Sequence, residues 1–440
     1  MNTETLSRGQ LAAYAAFAVP LAMAALPVYV HVPKLYGDSL GVPLAVVGAV
    51  LLLARLFDAL QDPLLGYFSD RCAGLPAGRR LPIVIGLPFL AAGFVALFHP
   101  PAASPTGLAI WLGTSLLIVY VGFSMASISY LALGAELSAD YHQRTRVTAT
   151  RGAFGLFGVL VAASAPLLLA SQAEGEGLAL LSIMFLPVLG IAAAITLWLG
   201  PQPVPAPAEA GAKAIASIMM ALRNPQFRWL VAVFVVSGIA GAVPGTLILF
   251  FVQDVLGRPD LSGYFLALYF LMGAAGMPLW IAASRSLGKK RAWACSMLVA
   301  IAAFIWAYFL GPGEVAAFSI VCAMSGIAYG AELAIPASML ADVVDQHADP
   351  ERARPDGVYF GLWQMMEKIN LALAAGIALP LLGLLGYQPG TDQPKTGVLS
   401  VTYALLPCAI KLIAAALLLM APLDGRRMIS KHLLREAIKP

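Results

Sequence analysis

The sequence predicts an all-α membrane protein with twelve transmembrane helices in two six-helix, pseudo-symmetric bundles. Three observations lead there. Hydrophobic residues make up 60% of the 440 and charged residues only 11%, against roughly 45–50% and about 25% in soluble domains. Apolar runs near the span length of about 20 residues recur along the whole chain. A Pro/Ala-rich stretch, PQPVPAPAEAGAKAIASIMMALRNPQFRW, falls after the sixth run and divides the chain into matching halves.

The runs fall at 11–33, 42–68, 81–100, 107–135, 150–171 and 177–200 before the linker, and at 228–253, 262–285, 293–311, 315–341, 358–387 and 399–422 after it. Hydrocarbon offers backbone groups no partner, so such long, unalternating runs form helices rather than barrel strands. The expected organisation is an N-terminal bundle over 1–200, a cytoplasmic linker over 201–227, a C-terminal bundle over 228–423 and a cytoplasmic tail over 424–440. The turns GYFSDRCAGLPAGRR and ASRSLGKKR, after helices two and eight, form a weak internal repeat of glycine and basic residues. If both termini are cytoplasmic, most of the 27 Lys and Arg face the cytoplasm, and only Lys34, Arg258 and Lys395 lie outside. The N-terminus MNTETLSRGQ lacks the short apolar core and cleavage site of a signal peptide. Cys72, Cys295, Cys322 and Cys408 are scattered, so neither a disulfide framework nor a metal centre is expected.

Charges inside the apolar runs carry the functional signal, because a charge at the bilayer centre costs at least ~2.5–3.5 kcal/mol. The stretch RLFDALQDPLLGYFSD places Arg55, Asp58 and Asp62 in helix two. Asp58 and Asp62 are one turn apart and share a face. Two such carboxylates repel unless a cation lies between them or one takes a proton, which suits a coupling site for Na+ or H+. Gln61 can add a carbonyl ligand. The alternative is that Asp62 starts an Asp-Pro turn and Asp58 merely pairs with Arg55. Lys368, deep in helix eleven, needs a carboxylate across the cavity, and snorkelling to an interface is its bland alternative. Glu332 and Lys411 are further intramembrane charges that either line the cavity or pair structurally. Trp363 and Gln364 are candidates to stack on and hydrogen-bond a substrate, or to pack. Asp342 and Asp345, with Arg352 and Arg354, form either a gate of ion pairs or a solvated loop.

The loop GYFSDRCAGLPAGRR looks like the signature of the major facilitator superfamily. RLFDALQDPLLGYFSD, together with ADVVD (341–345), MMEKINLALAAGIALPLLGLLGYQP (365–389) and RTRVTATRGAFGLFG (144–158), resembles the glycoside–pentoside–hexuronide:cation symporters, the family of the melibiose permease. The resemblance implies that Asp58 and Asp62 bind the coupling cation and that Lys368 communicates with that site. It implies that Arg151 lies near substrate, although anchoring at lipid headgroups is the competing role. It gives Asp70, Arg79 and Arg80 a part in locking the inward side. The family's acids in helices one and four are missing. The first position falls near Pro20 and the second at Ser129, a candidate substrate contact, while Glu136 is too near the cytoplasmic end to substitute. That departure is similar to the lysolipid symporters of the same family, for which Pro20, Pro27 and Pro33 would bend helix one and open a lateral path.

The leading expectation is a secondary active transporter that moves a small organic solute, such as a glycoside or organic acid, together with Na+ or H+ by alternating access. A lysolipid transporter of the same family is the second reading, and a receptor or assembly protein on this scaffold the third. Composition excludes a soluble enzyme, and no GxxxxGK[ST] loop is present for ATP. The expected partners are a small-molecule substrate and the bilayer, with no nucleic acid, no cofactor beyond the coupling ion, and a monomeric state. A cell inner membrane is the expected location.

Overall fold

The computed structural model describes residues 6–73, 75–137, 141–169, 174–201, 219, 222–346, 356–391 and 395–423. Most of the expected linker, the loop 347–355 and the expected tail 424–440 lie outside the described residues, as do the side chains of Asp70 and Asp345. The helices are α1 (Arg8–Ser39), α2 (Leu44–Ala73), α3 (Arg80–Phe98), α4 (Pro105–Glu136), α5 (Tyr141–Leu169), α6 (Glu174–Ala194, prolonged by a π-helical turn), α7 (Pro225–Asp254), α8 (Ser262–Leu287), α9 (Lys289–Tyr308), α10 (Val315–Gln346), α11 (Asp356–Leu384) and α12 (Thr396–Met420). Among the described residues, 11 are long and apolar enough to span a bilayer. The remaining helix, α5, opens on polar residues and has its apolar part at Thr150–Ser164.

Local sequence fixes the ends. Ser7 caps α1 through a reciprocal capping box with Gln10, Ser104 caps α4, and Asn224 caps α7. Lys290 Nζ donates to the Ala421 carbonyl at 2.7 Å, which satisfies an orphan acceptor at the end of α12. Two expectations change. The helix runs through Pro63 to Ala73, so Asp62 does not start a turn. In α1 the interruption falls at Ala16–Phe17, and Pro20, Pro27 and Pro33 are all buried against neighbours, so they do not line an open lateral path. Packed helices resupply the backbone groups that prolines free.

The packing repeats between the halves. In the first half α1 packs on α5 and α6, α2 on α4, and α3 on α4 and α6; in the second half α7 packs on α11 and α12, α8 on α10, and α9 on α10 and α12. The halves meet where α2 crosses α11, α5 crosses α8, and α1 crosses α7. Exposed side chains such as Leu53, Leu60 and Trp198 suit a surface that faces lipid.

Closure is uneven along the bundle. At the end away from the chain termini, one apolar core runs through both halves. There Gly48 of α2 lies so close to α11 that a Cβ would meet Pro380 Cδ at 2.7 Å and the Ala375 carbonyl at 3.1 Å. Gly376 packs in the same way against Leu52. Gln253 of α7 donates to Asp38 of α1 at 2.8 Å, and Tyr29 of α1 donates to the Ala242 carbonyl of α7. At the terminus-bearing end the second half keeps a separate cluster around Phe227, Trp293 and Trp363. Among the described residues, the apolar core shared by the two halves closes the end away from the chain termini. Gly48→Val is expected to wedge α2 from α11 and favour opening at the outer end. Faster labelling of a cysteine placed near Ala45 would show it, and an unchanged rate would argue against this closure.

Candidate functional site

The α2–α11 crossing that closes the end away from the termini also brings α2 carboxylates to an α11 amine. Three α2 residues at helical spacing, Arg55, Asp58 and Asp62, lie near one face, with Gln61 beside them. Asp58 is fully buried. Its Oδ1 accepts from Ser124 Oγ at 2.8 Å and from Gln61 Nε2 at 3.3 Å. Its Oδ2 faces Arg55 Nη1 at 3.2 Å and Lys368 Nζ at 3.1 Å. The Arg55 guanidinium lies 4.4 Å from the centre of the Tyr120 ring, a cation–π contact that helps hold it.

Lys368 is the hinge of the cluster. Its ammonium lies 2.5 Å from Asp62 Oδ2 and donates to Ser124 Oγ at 3.0 Å. One cation on α11 thus bridges two carboxylates on α2 and a hydroxyl on α4. Two guanidinium or ammonium groups balance two carboxylates, so the cluster is neutral without an added ion. Asp62 Oδ1 is buried and finds no hydrogen-bond partner among the described residues. An unsatisfied carboxylate oxygen is costly, and in a native structure such an atom calls for a reason. An oxygen set of this kind, with carboxylates, an amide and a hydroxyl, suits a hard monovalent cation or a proton and offers no soft donor.

A second ion pair lies in the other half. Lys411 of α12 donates to Glu332 Oε1 of α10 at 2.7 Å, and to the Ser237 hydroxyl and carbonyl of α7 at 2.9 and 3.2 Å. The residues both pair and line a cavity of about 360 Å³, so the two alternatives left open by the sequence hold together. Lys411→Met is expected to lower stability by about 3–5 kcal/mol by leaving Glu332 uncompensated. Thermal unfolding would register the loss, with partial recovery in Glu332→Gln/Lys411→Met.

Other candidates fall elsewhere. Ser129 is fully buried and donates to Ser69 Oγ at 2.9 Å, away from the cavity lining. Arg79 donates to the same Ser69 oxygen at 3.2 Å, which ties the loop after α2 to α2 and α4. Arg80 is half-buried at the start of α3. Trp363 is buried and stacks on Phe234 with ring centres 3.7 Å apart, a packing role, while Gln364 is exposed. Arg151 is half-buried beside Tyr14 and Tyr130. Asp342 pairs with Lys289 at 2.6 Å inside the second half. Sequence reasoning missed Ser124, Ser237, and the outer Asp38–Gln253 contact. Serine in an apolar helix gives no signal of its own, since it readily bonds the preceding turn.

The sequence matches the family described as MFS/sugar transport protein over residues 11–425. Among curated proteins it is similar to a putative glycoside/cation symporter, YagG, of Escherichia coli, with 24% identity over 87% of this chain and 84% of that protein. It is equally similar to the sphingosine-1-phosphate transporter MFSD2B of the mouse Mus musculus, with 24% identity over 88% and 83%. The sodium-dependent lysophosphatidylcholine symporter 1-B of Danio rerio shares 22% over 88% and 82%. Among solved structures, a bacterial homologue of the human lysosomal transporter Spinster, inward-facing and unoccupied, superposes with a TM-score of 0.69 at 15% identity, covering 96% of this chain and 99% of that one. The nucleoside transporter NupG superposes with a TM-score of 0.66 at 14% identity, covering 93% and 99%. These likenesses establish the major facilitator fold.

Proposed function

The chain belongs to the family of MFS/sugar transport proteins, and on that premise we propose that it is a cation-coupled symporter working by alternating access. The observation that carries the reading is the Lys368 ammonium held between Asp58 and Asp62 across the two halves. With cytoplasmic termini, the sealed end faces outward, and Lys368 serves as internal counter-ion in the cluster. Na+ or a proton reaching Asp62 and Asp58 displaces the ammonium, which is then free to meet a polar or anionic group of the solute. Ion and solute favour the same state of the carrier, so each raises the affinity of the other by the same factor. A small organic solute, a glycoside or an organic acid, is the leading cargo, and relatives named as glycoside/cation symporters support it. The expected setting is a bacterial inner membrane, with the chain acting as a monomer and without enzymatic chemistry.

A second reading, a lysolipid symporter, is favoured by one observation: the cavity walls are mostly apolar and aromatic, with Phe234, Tyr269, Phe304 and Tyr403 among them. Relatives of that kind support it too. The deciding experiment measures thermal unfolding of the purified protein in nanodiscs against glycosides, organic acids and lysophospholipids, each with and without Na+ and at two pH values. A hit strengthened by Na+ or by acid establishes coupled transport and names the cargo class. A panel in which no ligand responds to either ion would overturn the coupling.

A further inference from the structure

The cavity in the second half holds chemistry that the ion site does not use. It is bounded by α7, α8, α9, α10, α11 and α12, with Tyr29 of α1 at its border toward the first half. Its volume of about 360 Å³ is that of a small ligand pocket.

The free hydrogen-bonding capacity in this chamber is mostly acceptor. Every donor of Lys411 is taken by Glu332 and Ser237. Both bonds to Glu332 fall on Oε1, which leaves Oε2 as an acceptor. Asn370 is 4% exposed, its amide nitrogen reaches the Phe234 carbonyl, and its Oδ1 has no partner among the described residues. Glu367 is neighbour to Lys368 in sequence, yet it turns to this chamber, and no ion pair to it is found among the described residues. The ionisable lining therefore counts two carboxylates against one ammonium.

Aromatic rings complete the arrangement. Tyr269 and Tyr329 stack with centres 5.4 Å apart. Tyr329 lies within electrostatic reach of both Glu332 and Glu367, and Tyr29 lies within reach of Tyr329. Ring faces carry negative potential and, beside a carboxylate, attract an alkylammonium. A sugar would demand donors as well as acceptors, and an anion would meet an excess of negative charge. We propose that this chamber binds an organic ammonium group carried on a compact apolar body. The proposal goes beyond the transport reading and does not assign this chamber to the coupled solute.

The probe is phenylethylammonium, with 2-phenylethanol and phenylacetate as its neutral and anionic counterparts, titrated calorimetrically into the full chain in nanodiscs. Phenylethylammonium is expected to bind, the other two far more weakly. Glu367→Gln, which removes the carboxylate's charge without changing shape, is expected to weaken binding by about tenfold or more. Tyr329→Leu is expected to weaken it as well. Equal binding of phenylethanol, or an unaltered affinity in Glu367→Gln, overturns the proposal. If the amine fails to bind while Na+ or acid still stabilises the protein through Asp58, the chamber assignment falls and the transport reading stands. If the amine binds while every ion response is absent, the reverse holds.

Discussion

Asp58→Asn is expected to abolish the stabilisation of the protein by Na+ or acid and to reduce coupled uptake in proteoliposomes by two orders of magnitude or more. Four groups converge on this carboxylate: Arg55, Gln61, Ser124 and Lys368. The neutral amide keeps the shape but gives up the charge, so only Asp62 remains to attract a cation. It also upsets the balance of two cations against two carboxylates, leaving an excess positive charge that repels the incoming ion. A ligand that binds only the folded state adds about 2.7 kcal/mol at a concentration 100 times its Kd. The wild type should show an increment of that size, and the variant none. Ion-dependent stabilisation that persists in Asp58→Asn would place the coupling site elsewhere.

Lys368→Met is expected to act in the opposite sense on ion binding. In the wild type the ammonium occupies the space between Asp58 and Asp62, so an entering ion must displace it. Removing it leaves two close carboxylates with Arg55 as their one neighbouring cation in the cluster. The unliganded variant should lose about 3 kcal/mol or more of stability, as buried ion pairs do when one partner is cut away. Na+ should then restore that loss at lower concentrations than the wild type needs, because nothing competes. Coupling is expected to fail all the same, since no group on α11 is left to carry the signal from ion to solute. Thermal unfolding against Na+ reads the first effect, and solute counterflow with and without Na+ reads the second. Weaker Na+ binding in Lys368→Met would mean that the lysine supports the ion site rather than competing for it.

The opposed responses of these two variants rest on a contact that no local pattern announces. Asp58 and Asp62 reveal themselves by their spacing, because positions four apart on a helix share a face. Lys368 reveals itself by the cost of a charge in an apolar helix. That the three meet depends on α2 crossing α11, and the crossing in turn depends on Gly48 and Gly376 allowing close approach. Glycine carries no side chain to signal which surface it admits.

Composition, run length and the distribution of basic residues were enough to determine that this is a twelve-helix membrane protein in two halves, since the bilayer imposes one answer on the backbone. The sequence by itself also determined which charges are too costly to be idle. Only the tertiary structure decided which of them join. It paired Glu332 with Lys411 from α10 and α12 and brought Ser124 to the ion cluster. It bonded Ser129 to Ser69, stacked Trp363 on Phe234 and aimed Glu367 away from its neighbour Lys368 into a separate chamber. The reason is physical: periodicity reports which residues share a helix face, whereas partners across a cavity are set by long-range packing that no window along the chain contains.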